Sequence, residues 1–382
     1  MITRDCFVNL TTDNQLYEIY AKLKGGGGGE GWQRPSDWLP LPDMSSTEGI
    51  SGLYAVWNTD SNFLAFTISG AYDVDWGDGN SASYASGATA EHIYDWNDLS
   101  PSTLTTRGYR QAIVTITPAI GDSITAINLN VKHSTVGLVS GAVTGWLDVE
   151  VNAPSCISNA LFAGGNVFHR RLEQATIYAW GGTDFNEMFS NCSSLQSVPL
   201  FDTSSGIDFF SMFTNCFSLQ SVPLFNTSSG TTFTGMFSGC SSLQSVPLFD
   251  TSSGTTFTSM FSGCSSLQSV PLFDTSSGIF FSGVFSGCSS LQSVPLLNMT
   301  AGITANTMFS TAQSIARVEA TGIKVNVSFS NCSLSAAALN EIYTNLADLT
   351  ALPSRTITVT GNYGTAGDNP TIATAKNWTV TG

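Results

Sequence analysis

One unit of sequence recurs along most of this chain and constrains its fold more than any other feature. The unit SLQSVPLFDTSSG…F…MFSGCS repeats every 24 residues. The cysteines mark it: Cys192, Cys216, Cys240, Cys264 and Cys288. Phe189, Phe213, Phe237, Phe261, Phe285 and Phe309 follow the same step, as do Leu195, Leu219, Leu243, Leu267 and Leu291, with Ile315 continuing that column. Val198, Val222, Val246, Val270, Val294 and Val318 form a further column, and Gly206, Gly230, Gly254, Gly278 and Gly302 another. A fixed period with apolar columns specifies a solenoid. One coil cannot bury its own apolar face, and stacked coils bury it jointly.

Weaker copies flank the regular ones. Residues 172–177 (LEQATI), 147–151 (LDVEV) and 124–129 (ITAINL) resemble the LQSVPL segment, so LQSVPL is read as the strand of each coil and the array is expected to begin near residue 124. Terminal coils are expected to be atypical because they must cap an exposed apolar face. At the far end Leu339, Ile342, Tyr343, Leu346 and Leu349 fall at helical spacing, with Ser333 or Ser335 as N-cap. Two strands, 356–360 and 378–380, are predicted to close the array. Roughly nine coils at about 4.8 Å each give a rod of around 40 Å.

The region before the array reads differently. Residues 1–30 form an N-terminal element and a linker of five glycines, Gly25 to Gly29. Leu16 to Leu23 suits a short helix or a strand equally. The glycine run is either a simple joint or a hinge for a segment that plugs into a partner. Residues 31–43 (GWQRPSDWLPLPD) are an extended lead-in, because proline forbids helix and limits pairing; its two tryptophans are expected to pack on the next domain. Residues 53–57, 63–68, 71–76 and 112–117 alternate like strands between turn residues, the pattern of a β-sandwich. The domains are therefore expected at 1–30, 31–123 (sandwich with lead-in), 124–333 (solenoid) and 334–382 (helix and strand cap).

Two resemblances follow from these motifs. Val74-Asp75-Trp76-Gly77-Asp78-Gly79, then His92-Ile93-Tyr94, then Gly108-Tyr109 resemble a PKD-type β-sandwich, which implies structural roles for these residues. The insertion 95–107 departs from the compact form of that family. MFSGCSSLQSVPLFDTSS, with the closing ALNEIYTNL…RTITVTGN…IATAKNWTVTG, resembles the BspA-type leucine-rich repeats of bacterial surface and phage-encoded proteins. The implied fold is mainly β: a PKD-like β-sandwich, then a BspA-type leucine-rich-repeat solenoid with a C-terminal helix cap. The order of modules is similar to that of structural proteins of tailed phages, which implies a place in the virion.

Charge narrows the function classes. Only 11% of residues are charged, against a usual share of about 25%, so the surface must be built from Ser, Thr, Asn and Gly. Thirteen basic against 28 acidic residues give a net charge of −15. That disfavours nucleic acid as a partner and docking on anionic lipid. No apolar run is long enough for membrane insertion, and the start lacks the basic and apolar regions of a secretory signal. A component assembled inside a host cell fits that pattern.

Chemistry has little foothold. The cysteine column is read as a ladder of buried thiols, since a linear row supplies no tetrahedral zinc site. The column Asp202, Asn226, Asp250, Asp274, Asn298 suits Asx turns better than Ca²⁺ ligation, with no bidentate Glu beside it. Asp75 and Asp78 are expected to hold the DWGDG hairpin. The three histidines, His92, His133 and His169, lie in no nucleophile or metal motif. Ser, Asp and His side chains from distant segments can still meet in space. No enzyme activity, cofactor or metal is expected.

Where the copies disagree is more telling. Differences concentrate after the glycine column: Ile207-Asp208-Phe209-Phe210-Ser211, Thr231-Thr232-Phe233-Thr234-Gly235, Thr255-Thr256-Phe257-Thr258-Ser259 and Ile279-Phe280-Phe281-Ser282-Gly283. The constant central Phe is assigned to the core and its variable neighbours to the surface. Asp208, Phe210 and Phe280, with Phe217 in place of a serine, are candidate contact residues forming an exposed aromatic cluster. The alternative is that the rings fill local gaps or pack on an adjacent subunit. The expected function is that of an exposed tail-fibre or spike-like appendage on the virion. It would be anchored to other virion proteins through its N-terminal region and would bind a host cell-surface glycan or protein. A capsid decoration protein and a bacterial surface adhesin are the alternatives. A homo-oligomer is compatible with this, and a trimer would suit an appendage.

Overall fold

Period-two alternation between residues 49 and 118 produces six antiparallel strands, separated by the turn residues that the sequence places between them. They are β1 (Gly49–Val56), β2 (Asn62–Ser69), β3 (Tyr72–Asp75), β4 (Ser81–Tyr84), β5 (Thr89–Tyr94) and β6 (Arg110–Pro118). Shorter or parallel strands follow: β7 (Ala126–Asn128), β8 (Ala142–Val143), β9 (Trp146–Ala153), β10 (Val167–Phe168), β11 (Gln174–Trp180), β12 (Ser293–Asn298), β13 (Arg317–Thr321) and β14 (Val327–Ser328). Helix α1 (Ala336–Asn345), β15 (Arg355–Thr358), the single turn α2 (Thr371–Thr374) and β16 (Trp378–Thr381) close the chain. The computed structural model describes residues 33–58, 62–136, 142–157, 161–162 and 167–382. The N-terminal element, the glycine run and Trp32 lie outside the described residues. Of the segment before Asp37, residues 33–36 are described and carry no helix or strand.

Two sheets make the sandwich. One has the strand order β11-β9-β1-β6-β3-β4, the other β5-β2-β7. Their inner faces meet ring to ring: Tyr54 stacks on Tyr94 at 4.9 Å, and Phe66 meets Trp76 at 5.6 Å. Strand β1 is buried on both faces, and the proline-rich lead-in explains why. Trp38 Nε1 donates to the Tyr109 hydroxyl at 2.7 Å, Gln111 Nε2 donates to the Asp37 carbonyl at 2.8 Å, and Asn152 Nδ2 donates to the Met44 carbonyl at 2.8 Å. These bonds tie the lead-in to β6 and β9, on either side of β1. Proline suits this strap because its missing N–H would have no ladder partner there.

At residues 124–129 the two architectures overlap: Ile157 N–H donates to the Thr125 carbonyl at 3.1 Å and Leu129 N–H donates to the Leu161 carbonyl at 3.2 Å, bonds from one coil to the next. Strand β7, which lies within residues 124–129, pairs antiparallel with β2 and belongs to the smaller sheet. Parallel pairing is already present where β8 meets β10, and β9 pairs antiparallel with β1 on one edge and parallel with β11 on the other. One sheet therefore runs from the sandwich into the solenoid. The alternation in LDVEV marks a strand but carries no information on the direction of its partners.

The solenoid makes about nine turns over residues 148–381. Its interior is a set of aromatic stacks. Phe185, Phe209, Phe233, Phe257 and Phe281 lie within 12° of parallel, with centroids 5.4–5.7 Å apart. A second stack runs through Phe189, Phe213, Phe237, Phe261, Phe285, Phe309 and Phe329. Burying each ring contributes about 1.5–3 kcal/mol, and each favourable ring pair adds about 0.5–1.5 kcal/mol.

The backbone ladder differs from the expected one. Coils bridge regularly at Asp184, Asp208, Thr232, Thr256, Phe280 and Thr304. The LQSVPL segments of the three middle coils, at 219–224, 243–248 and 267–272, form no continuous strand. Each carries a proline with no N–H to give to the ladder, and even in β12 the register shifts between Val294 and Leu297, around Pro295. At the far end α1 forms with Ser335 as its cap, its Oγ accepting the Ala338 N–H at 3.2 Å. Leu339, Ile342 and Tyr343 are buried, and β14, β15 and β16 pair in parallel beside the helix.

Candidate ligand-facing surface

Each coil presents an outward pair of residues around its central core phenylalanine, because side chains alternate across an extended segment. Phe209, Phe233, Phe257 and Phe281 point in and are buried. The residues at 208 and 210, and their counterparts every 24 residues on, flank them. Phe210 and Phe280 are each 36% exposed and Phe217 is 48% exposed, so all three rings lie at the surface, where the sequence puts them. Asp208 is half-buried. Its Oδ1 accepts the Phe210 N–H at 2.8 Å, an Asx turn that fixes the ring's position. Burial raises the Asp208 carboxyl above the ordinary carboxylate value, with the neighbouring Asp184 acting in the same sense against the Phe210 N–H bond.

The structure spreads these residues rather than clustering them. Asp208 and Phe210 share one coil. Phe280 stands in the same column as Asp208 but three coils further along. Phe217 follows Cys216 beyond the next turn, and its carbonyl accepts the Ser242 N–H of the following coil. Among the described residues no ring contact joins Phe210, Phe217 and Phe280. The expected aromatic cluster is therefore a strip. Exposed Ile207 and Phe210 mark one end of it, and Phe280 and exposed Ile303 the other. Between them lie two coils of threonine, Thr231-Thr232-x-Thr234 and Thr255-Thr256-x-Thr258. The sequence shows the variable positions; the spacing between them depends on which coil and which column each occupies.

A second exposed row runs along the solenoid. Leu224, Leu248, Leu272 and Leu296 are between 42% and 58% exposed, one in each successive coil. In these coils the Val two residues before and the Phe or Leu directly after are buried, while the Leu between them faces out. The signal available was that a coil has no room for four consecutive apolar side chains.

The remaining candidates have structural partners. Sγ of Cys216, Cys240, Cys264 and Cys288 donates to a phenylalanine carbonyl of the coil before, at 3.0–3.1 Å. Burial pushes the Cys288 and Cys332 thiols up to about 12 and the other ladder thiols upward as well. Cys6 lies outside the described residues. Asp202, Asn226, Asp250, Asp274 and Asn298 each accept the N–H two residues on, as turn chemistry requires. Asp75 and Asp78 accept the Gly77 and Asn80 N–H groups and hold the hairpin. Asp78 Oδ2 also meets His92 Nε2 at 2.6 Å, and the imidazole stacks on Trp76 at 4.8 Å. His133 lies edge-on to Phe63, and buried His169 meets Thr144 Oγ1 at 3.0 Å. Among the described residues no group of three or more His, Cys, Asp or Glu side chains is placed to hold a metal ion.

Comparison with known proteins bears on the repeats. Residues 159–246, 183–296 and 220–321 each match a family model described as Mycoplasma protein of unknown function, DUF285. The matches fall within the solenoid, cover less than half of the chain, and leave the sandwich unmatched. Among curated proteins, none matches the chain. The regular core of this solenoid is thus similar to a repeat family whose function is itself undefined.

Proposed function

We propose that this chain is a non-enzymatic structural protein of a phage particle, an exposed appendage that attaches to a host surface. The N-terminal region holds it to other virion proteins. The sandwich and solenoid, joined through one sheet, carry the contact strip away from the particle. The observation that supports this reading is the contrast between core and surface. The inward columns scarcely vary, while Phe210, Phe217 and Phe280 stand exposed where sister coils carry small polar residues. Exposed rings beside partly exposed threonines suit a cell-surface glycan or protein, and many weak contacts on one particle gain avidity.

Adsorption competition tests this. Purified chain is expected to block adsorption of the particle to its host, and a chain with Phe210→Ser and Phe280→Ser is expected to block at least about tenfold less well. Equal blocking by both chains would remove the strip from the account. No blocking by either chain would favour a capsid decoration role. Particles made with a chain lacking residues 1–30 are expected to lack the protein; normal incorporation would place the anchor elsewhere.

A further inference from the structure

The exposed leucine row has a chemical setting that defines its partner. Between residues 172 and 316 there is no Lys, Arg or His, while seven acidic residues occur: Glu173, Asp184, Glu187, Asp202, Asp208, Asp250 and Asp274. Asp250 and Asp274 each lie two residues beyond a leucine of the row, Leu248 and Leu272. Both are exposed, and hydrogen bonds from Ser252 and Ser276 hold their carboxyls below the ordinary carboxylate range, so they stay charged at neutral pH. Exposed Gln220, Gln244, Gln268 and Gln292 border the other side of the row. The surface is an apolar line within a field of one sign. A second copy of the chain would bring like charges together, as would nucleic acid or anionic lipid.

Spacing narrows the choice further. Hydrogen-bonded coils lie about 4.8 Å apart, and the rings of Phe249 and Phe273, next to Leu248 and Leu272, are 6.4 Å apart. One turn of α-helix, about 5.4 Å, falls inside that interval. A strand laid along the row repeats its same-face side chains at about 6.8 Å, outside it.

We propose that Leu224, Leu248, Leu272 and Leu296 form the floor of a docking surface for a basic amphipathic helix of a partner protein. The helix lies along the solenoid axis with one apolar side chain per coil, and its Lys or Arg residues reach Asp250 and Asp274. The face is the same whichever particle or cell carries the chain, so this inference does not rest on the virion reading. It also concerns a row of residues separate from the Phe210–Phe280 strip.

The test uses the full chain and a synthetic peptide of about 18 residues, with leucine at helical i, i+3, i+7 spacing and lysine elsewhere. A peptide of the same composition with its leucines scattered is the control. Fluorescence anisotropy is expected to show binding of the first peptide and at least about tenfold weaker binding of the second. Leu248→Ser with Leu272→Ser is expected to weaken the first by about tenfold, with no loss of thermal stability because both side chains are exposed. Asp250→Asn with Asp274→Asn, which keeps the Asx turns, is expected to weaken it several-fold and to flatten its dependence on salt. This second pair keeps the test decisive if the serine variant fails to fold. Equal binding of both peptides, or unchanged binding by the asparagine pair, overturns the proposal. So does a native dimer that the serine pair converts to monomer, since the occupant is then a second copy.

Discussion

Gly52 in β1 and Trp146 at the start of β9 share one space: a Cβ on Gly52 would stand 2.2 Å from Trp146 Cζ3. The indole fills the place of a side chain and also meets the Tyr54 ring edge-on at 5.6 Å. The indole thus packs β9 onto β1, the antiparallel pair beside which β11 adds in parallel. Gly52→Ala is expected to lower stability by about 1–3 kcal/mol through overpacking, read as a fall in denaturation midpoint. Hydrogen exchange in the variant is expected to show amides of β6, β9 and β11 losing protection together. Loss confined to β6 would show that the sheet is not one cooperative unit.

The glycine column serves the phenylalanine stack. A Cβ on Gly254 would lie 2.6 Å from Phe257 Cζ and 3.0 Å from Phe233 Cε2, so rings of two coils close over it. Gly254→Ala is expected to cost about 1–3 kcal/mol and Phe257→Ala about 3–5 kcal/mol, measured by chemical denaturation. A neutral Gly254→Ala would mean that the rings do not pack as described.

The thiol ladder should be inert. Cys156, Cys192, Cys216, Cys240, Cys264, Cys288 and Cys332 are buried, and only a thiolate reacts readily. In a Cys6→Ser chain, a thiol reagent at pH 8 is expected to modify none of the seven in the native state and all seven in denaturant. Rapid native reaction of any of them would contradict their burial.

Acid should destabilise the first coils through His169. Burial lowers its pKa from 6.5 to about 3, so the folded ring is neutral where the unfolded ring takes up a proton. Stability from this group is complete above about pH 6.5 and falls as the pH drops toward 3, by up to about 1.4 kcal/mol per pH unit. His169→Gln is expected to flatten that slope. An unchanged slope between pH 6 and 4 would show that the imidazole is not the titrating group.

Much of this was legible because the repeat states itself. The Phe189 and Cys192 columns fix the coil and its interior, and the Ser335 cap fixes the final helix. The double role of β9 was not legible, since LDVEV looks the same beside an antiparallel or a parallel neighbour. The LQSVPL segments looked like strands because their apolar residues recur, but a proline in every copy removes the donor that a ladder needs. Leu224 and its counterparts were hidden inside an apolar run, whereas the separation of Phe210 from Phe280 follows from the period, which puts them three coils apart.

Immunogold labelling of purified particles with antibody to residues 124–382 tests the proposed role most directly. Gold is expected at the tail or its tip. Gold spread over the head would make this a decoration protein instead, and particles without gold would contradict any place for the chain in the virion.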